Sequence, residues 1–253
     1  MAYKIILDAG HGGSDPGAVY NGRQEKDDVL ELTLAIGEIL ENEGYEVVYT
    51  RTTDVYETPY EKAVKGNTSK ANLFVSIHRN AFPTPNTASG VETLVYDKSG
   101  IKNEIAESVN EELEKVGYVN LGVKERPNLV VLKRTEMPSL LVEVGFINNE
   151  EDNELFDREF EAIAQGIADG ITNIVGNEVH EKIYQVQVGL FRNPNNAEEL
   201  LNELLEEGYP AYIELEERFY YVNVGTYEDF EEAIYMERSL KQDGYQTLIV
   251  RLH

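Results

Sequence analysis

The chain has 253 residues, 42% of them hydrophobic, and no cysteine, which is enough for one large core or two unequal ones that fold without disulfides. A formal net charge of −25, from 47 acidic against 22 basic residues, repels phosphate backbones and anionic lipid surfaces. Nucleic acid is excluded as a partner, membrane insertion is excluded by the lack of any run of roughly 18 apolar residues, and a metal would have to be held by His and carboxylates.

The elements follow in order. Tyr3-Lys4-Ile5-Ile6-Leu7-Asp8 reads as a strand breaking into the turn Ala9-Gly10-His11-Gly12-Gly13. The run passes directly into Asp8 without a signal-peptide pattern, so a cytoplasmic product is expected. Val29, Leu32, Ile36, Ile39 and Leu40 recur at helical spacing and stop near Gly44, with Glu25 expected on the loop ahead of that helix. Strands are predicted at 46–51, 73–77 and 91–96, with a polar helical stretch over 60–69. Residues 101–116 read as a helix, 129–132 and 139–143 as buried strands, and Phe160, Ile163, Ala164, Ile167, Ile171 and Ile174 mark a closing helix expected to end at Gly176. The alternation predicts an α/β fold, a mostly parallel twisted sheet layered by helices.

Residues 177–182 are short and polar and read as a linker between a first domain, 1–176, and a second, 183–253. The second holds an internal repeat. Tyr184-Gln185-Val186-Gln187-Val188-Gly189 aligns with Tyr220-Tyr221-Val222-Asn223-Val224-Gly225, and Gly208-Tyr209 with Gly244-Tyr245, at an offset of about 36 residues. Two strand-helix-strand copies make a small βαββαβ, ferredoxin-like domain with both helices on one face of its sheet and the other face free to bind. Gln185, Gln187, Tyr221 and Asn223 are candidates for that face, although parity alone leaves open which face the helices cover.

Chemistry is suggested by where histidines and glutamates fall. Parallel strands bring their C-terminal ends together, so His11 and His78, each expected just past a strand, could meet at one sheet edge, and Glu25 could swing over it. Glu143, ending another strand, would add an unligated carboxylate. Each also has a plain structural reading: a histidine after a strand is commonly a surface residue, and Glu25 could be a helix N-terminal acid favouring the macrodipole. No HExxH-like spacing decides between them.

The surrounding motifs add what the residues alone leave open. Asp8-Ala9-Gly10-His11-Gly12-Gly13-Ser14-Asp15-Pro16-Gly17, then Gln24-Glu25-Lys26, Asn67, Leu73-Phe74-Val75-Ser76-Ile77-His78-Arg79-Asn80-Ala81, Gly90-Val91-Glu92-Thr93 and Leu141-Val142-Glu143-Val144-Gly145-Phe146 occur in one order. Over roughly residues 2 to 175 the chain resembles the zinc-dependent N-acetylmuramoyl-L-alanine amidases of the type 3 family. The resemblance implies one zinc ion held by His11, Glu25 and His78, and Glu143 as general base and acid. The substrate it implies is peptidoglycan, cut at the amide between N-acetylmuramic acid and L-alanine of the stem peptide, with zinc-bound water as nucleophile. Asn80 and Glu92 fall at positions that would touch substrate or support the metal residues. Lys62 stands where the family pattern leads one to expect Arg, and Asn72 where Asp is common; lysine lacks the bidentate fork of arginine, so the contact made at 62 should differ.

The C-terminal repeat resembles the SPOR, or sporulation-related, domain. Such domains bind glycan strands, and Gln185, Gln187, Tyr221 and Asn223 would then contribute stacking and hydrogen bonds. Together the two resemblances imply a lytic autolysin of spore formers or a phage endolysin, cytoplasmic until lysis or release by a holin and acting at the cell wall. The rivals are a catalytically silent wall-binding scaffold and a zinc peptidase acting within the stem peptide.

Overall fold

The computed structural model describes residues 3–180, 184–216 and 218–251 and resolves into two compact units, 1–176 and 177–253, each with its own apolar core. The first unit opens with β1 (Lys4–Ala9), a short hairpin of β2 (Val19–Tyr20) and β3 (Arg23–Gln24), and α1 (Glu25–Asn42). It continues through β4 (Glu46–Tyr49), α2 (Pro59–Ser69), β5 (Leu73–Asn80), β6 (Val91–Val95), α3 (Ile101–Val116) and β7 (Asn120–Glu125). It closes with α4 (Val130–Arg134), β8 (Ser139–Phe146), α5 (Glu150–Arg158) and α6 (Phe160–His180).

Six strands form one sheet in the order β4-β1-β5-β8-β6-β7, parallel at every junction except β8 with β6. The inner strands β1, β5 and β8 are nearly continuous apolar runs because both faces are covered. Alternation divides their side chains between two layers. Ile5, Leu7, Val75, Ile77 and Val142 pack with Val29, Leu32 and Ile36 of α1 and Ile163, Ile167 and Ile171 of α6. Ile6, Phe74 and Leu141 face the other way, onto Val131 and Leu132 of α4.

The α/β architecture agrees with the sequence reading, with local differences. Residues 129–132 lie in the turn of helix α4 and not in a strand: an apolar run of this length fits a buried helical turn as well as a buried strand, and Lys133 N bonds to Leu129 O. β7 and α5 are elements the periodicity did not reveal. Helix α6 runs past Gly176 to His180, since one helical glycine costs only about 1 kcal/mol and no breaker follows it. Of the expected linker, 177–180 are therefore helical, and 181–182 lie outside the described residues.

The second unit contains β9 (Tyr184–Phe191), α7 (Pro194–Glu206), β10 (Ala211–Glu216), β11 (Phe219–Tyr227), α8 (Phe230–Gln242) and β12 (Leu248–Arg251), with an antiparallel sheet in the order β10-β11-β9-β12. Val186, Val222 and Val224 pack against Ala197 and Leu204 of α7 and Ala233 and Leu240 of α8, so both helices cover one face. The copies are matched in detail. Asn193 and Asp229 cap the two helices from equivalent positions. Tyr209, after α7, bonds to Ser239 and Asp243 of the other copy, while Tyr245, after α8, bonds to Glu203 and Glu207 of the first; the two rings meet edge to face.

Candidate active site

Ala9 of β1 stands in register with Ile77 of β5, and Gly10 N donates to Ile77 O, so the turn after β1 is drawn onto the edge where His78 emerges. His78 itself lies within β5, not past its end. His11 has a left-handed backbone with φ 56°, in a turn closed by Gly12 and Asp15. Two glycines make room. A Cβ on Gly10 would lie 2.5 Å from the His78 ring, and one on Gly17 would lie 2.6 Å from both Glu25 Oε2 and the His11 ring.

Glu25 is the first residue of α1 rather than part of the loop before it. It accepts from Ala18 N (2.9 Å) and Arg79 N (3.0 Å), which aims its carboxylate between the imidazoles. His11 Nε2 lies 3.1 Å from Glu25 Oε2, and His78 Nδ1 lies 2.9 Å from Glu25 Oε1. One ligand atom from each of the three residues falls within 4.8 Å of the others, and both imidazoles keep some exposure. Asp15 Oδ2 holds the remaining nitrogen of His11 at 2.9 Å, the orienting contact that metal-ligating histidines usually have. Two imidazole nitrogens and a carboxylate oxygen, with both rings partly exposed, are a donor set that would hold a catalytic zinc ion.

Burial by itself would lower the pKa of His11, but the carboxylates of Glu25 and Asp15 raise it to about 9. Burial would raise that of Glu25, yet the two imidazoles hold it far below the usual carboxylate range. The cluster is thus a site where a cation, proton or metal, is strongly favoured.

Glu143 stands in register with His78 across β5 and β8, and with Glu92 across β8 and β6. Its Oε2 is enclosed and has no hydrogen-bond partner among the described residues. Burial, reinforced by the charges of Glu25 and Glu92 and opposed by His78, pushes its pKa up to about 7. Asn80 Nδ2 donates to Glu92 Oε1 at 3.0 Å, so these two residues form a pair flanking Glu143.

Beneath the turn lies a network that the sequence reading missed. Asp8, buried, accepts from Thr50 Oγ1 (2.7 Å) and Ser76 Oγ (2.6 Å) and pairs with Lys62 Nζ at 2.8 Å. Lys62 also donates to Ala9 O (2.5 Å), while Arg51 reaches Ala9 O with Nε (3.1 Å) and Gly10 O with Nη2 (2.7 Å). The two carbonyls preceding His11 are therefore held by two cations, with the bidentate fork supplied by Arg51 rather than from position 62. The available signals were a lone Asp closing an apolar strand and Asp15 four residues after His11.

In the second unit, Gln185, Gln187, Tyr221 and Asn223 alternate with core valines and so face away from the helices. They are not equally accessible. Asn223 and Gln185 are buried by their neighbours, with Tyr212 donating to Gln185, whereas Gln187 and Tyr221 are partly open and lie beside exposed Leu190 and Leu248.

A cluster of His, Glu and His beside an enclosed carboxyl group at a parallel sheet edge is the arrangement that metal-assisted amide hydrolysis calls for. The family model for N-acetylmuramoyl-L-alanine amidase matches residues 5–173, and that for the SPOR domain residues 181–251. A sporulation-specific N-acetylmuramoyl-L-alanine amidase of Bacillus subtilis (strain 168) is 33% identical over 221 residues, covering 84% of this chain and 85% of its own. An endolysin of Bacillus phage SPP1 is 36% identical over 63% of this chain and 60% of its own. The crystal structure of an N-acetylmuramoyl-L-alanine amidase from Clostridium difficile 630 superimposes with a TM-score of 0.66 at 31% identity, covering 70% of this chain and 98% of that one. The chain belongs to the N-acetylmuramoyl-L-alanine amidase family and carries a C-terminal SPOR domain.

Proposed function

We propose that the chain hydrolyses the amide between the lactyl group of N-acetylmuramic acid and L-alanine in peptidoglycan, with one zinc ion held by His11, Glu25 and His78 and with Glu143 moving the proton. The observation that carries this reading is the convergence of the three donors with Glu143 in the adjacent register position. When bound, the ion supplies Lewis-acid polarisation of the carbonyl and a water of lowered pKa. Glu143, with its carboxyl enclosed beside the metal residues, is placed to accept the proton of the attacking water and return it to the nitrogen as the C–N bond breaks. Asn80 fixes Glu92, whose charge raises the proton affinity of Glu143 and so helps it take the proton from the attacking water.

The SPOR domain would hold the enzyme on glycan strands through the sheet face bearing Gln187 and Tyr221, with Gln185 and Asn223 supporting it from within. Among the two biological roles, lysis during sporulation is favoured over phage release, because the sporulation-specific relative aligns with 84% of the chain and the endolysin with 63%.

Incubating purified wall with the protein tests the reaction. New N-terminal L-alanine without new reducing ends, abolished by chelation and restored by zinc, is the expected result. Cleavage inside the stem peptide would assign a peptidase, and retained binding with no cleavage a silent scaffold. Full activity in Glu143→Ala would sink the assigned proton shuttle.

A further inference from the structure

We infer that Tyr56 and Tyr60 form the platform on which the sugar arm of the substrate rests, so that the scissile amide lies across the sheet edge with its glycan over β4 and β1 and its stem peptide over β8 and β6. This rests on the proposed roles of His11, Glu25, His78 and Glu143 and adds a direction of binding to them. Along the edge, β4 leads into the 50–58 loop, β1 into His11, β5 bears His78, β8 bears Glu143 and β6 bears Glu92. The departing nitrogen has to reach Glu143, on the β8 side of the metal residues. The carbonyl carbon has one other substituent, the lactyl ether of the sugar. With the nitrogen turned toward β8, that substituent extends toward β1 and β4.

The surface on that side is aromatic. Gly13 N donates to Asp54 Oδ1 (2.6 Å), Lys26 Nζ joins Asp54 Oδ2 (2.7 Å) to Gly13 O (3.1 Å), and a Cβ on Gly13 would lie 3.1 Å from Tyr56 Cβ. The loop carrying Tyr56 is thus docked on the turn two residues beyond His11, and Tyr60 follows in the first turn of α2. Tyr56 and Tyr60 are 50% and 61% exposed, and with Glu57, Glu61, Val64 and Lys65 they line a groove of about 480 Å³. Sugar rings offer apolar C–H faces to a tyrosine and hydroxyl donors to carboxylates. Glu57 lies in the groove wall with its carboxylate paired to Lys65. The charge pattern favours the neutral arm: the amide-linked muramoyl sugar is uncharged, whereas the stem peptide ends in a carboxylate, and with Lys65 paired to Glu57 the groove keeps the negative charge of Glu61, on a chain of net charge −25.

Two measurements on the full chain test this. In the first, hydrolysis of a muramoyl-L-alanyl peptide is compared with that of the same peptide bearing only a lactoyl group. Wild type should prefer the sugar-bearing substrate; Tyr56→Ala and Tyr60→Ala should each lower kcat/KM for it about tenfold through KM, as expected for one lost aromatic contact, and leave the lactoyl substrate unaffected. Tyr56→Phe and Tyr60→Phe should retain the preference. In the second, tyrosine nitration is read residue by residue in a Glu143→Gln background with a soluble tetrasaccharide-peptide added. Tyr56 and Tyr60 should be protected, and Tyr235, 76% exposed in the other unit, serves as the reference. Cleavage with an unchanged substrate ratio and no protection overturns the platform and leaves the amidase reading intact. Protection of both tyrosines without cleavage by wild type supports the platform and overturns the amidase reading.

Discussion

Gly10 has an ordinary backbone conformation, so its glycine is required by space alone: the His78 ring occupies the position of its Cβ. Gly10→Ala is expected to fold and yet displace His78, lowering zinc affinity by about 10–100-fold, a change readable by calorimetric titration alongside an unaltered circular dichroism spectrum. Glu143 shows the opposite trade. Its folded pKa of about 7 lies above its unfolded value, so its contribution to stability is complete below the unfolded pKa and is lost as pH rises through 7. In the presence of chelator, Glu143→Gln should therefore be more stable than wild type at pH 8, by on the order of 3 kcal/mol, with the difference vanishing toward pH 4 in denaturant titrations. The same substitution should lower amide hydrolysis at least about 100-fold.

Helix α2 carries Tyr60 of the groove and supplies Lys62, and its start is secured by a capping box. Thr58 Oγ1 accepts from Glu61 N (3.2 Å), and Glu61 Oε2 accepts from Thr58 N (2.8 Å). Thr58→Ala should cost about 1 kcal/mol, a fall in Tm of roughly 2–4 °C in a thermal melt. Lys62 is less replaceable. Burial alone would raise the pKa of Asp8, but Lys62 with Ser76 and Thr50 holds it below the usual aspartate range, so this carboxylate stabilises the fold above its unfolded pKa and ceases to do so as pH falls through the folded one. Lys62→Met should destabilise by about 3–5 kcal/mol at pH 7 and less in acid, measured by denaturant unfolding, because it strands a buried charge that protonation relieves. These contacts mark the limit of what was legible in the sequence. β1, β5, β8 and α1 declare themselves by unbroken or periodic apolar residues, and His11, Glu25, His78 and Glu143 by the words around them. Arg51 and Asp8 did not, since their partners are backbone carbonyls and residues about 40 to 70 positions away. The short helix α4 was misread because a buried turn and a buried strand share one apolar signature.

At the scale of the whole molecule, each of the two units is built round its own buried apolar residues, so each should keep its structure without the other. A chain ending at residue 180 is expected to cleave a soluble muramoyl peptide at the wild-type rate but to sediment poorly with intact wall, and activity on that wall should fall accordingly. The C-terminal repeat behaves differently. β9 and β10 belong to one copy yet do not pair with each other: β10 joins β11, and β12 joins β9. Each copy thus completes the other's sheet, and the crossing of Tyr209 and Tyr245 repeats this exchange between the helices. Neither half is a folding unit, and a peptide of one copy would regain its ladder only by meeting a second. The domain is in effect a two-fold dimer whose protomers have been written into a single polypeptide, and cutting it between β10 and β11 would turn its stability from a property of the molecule into a function of concentration.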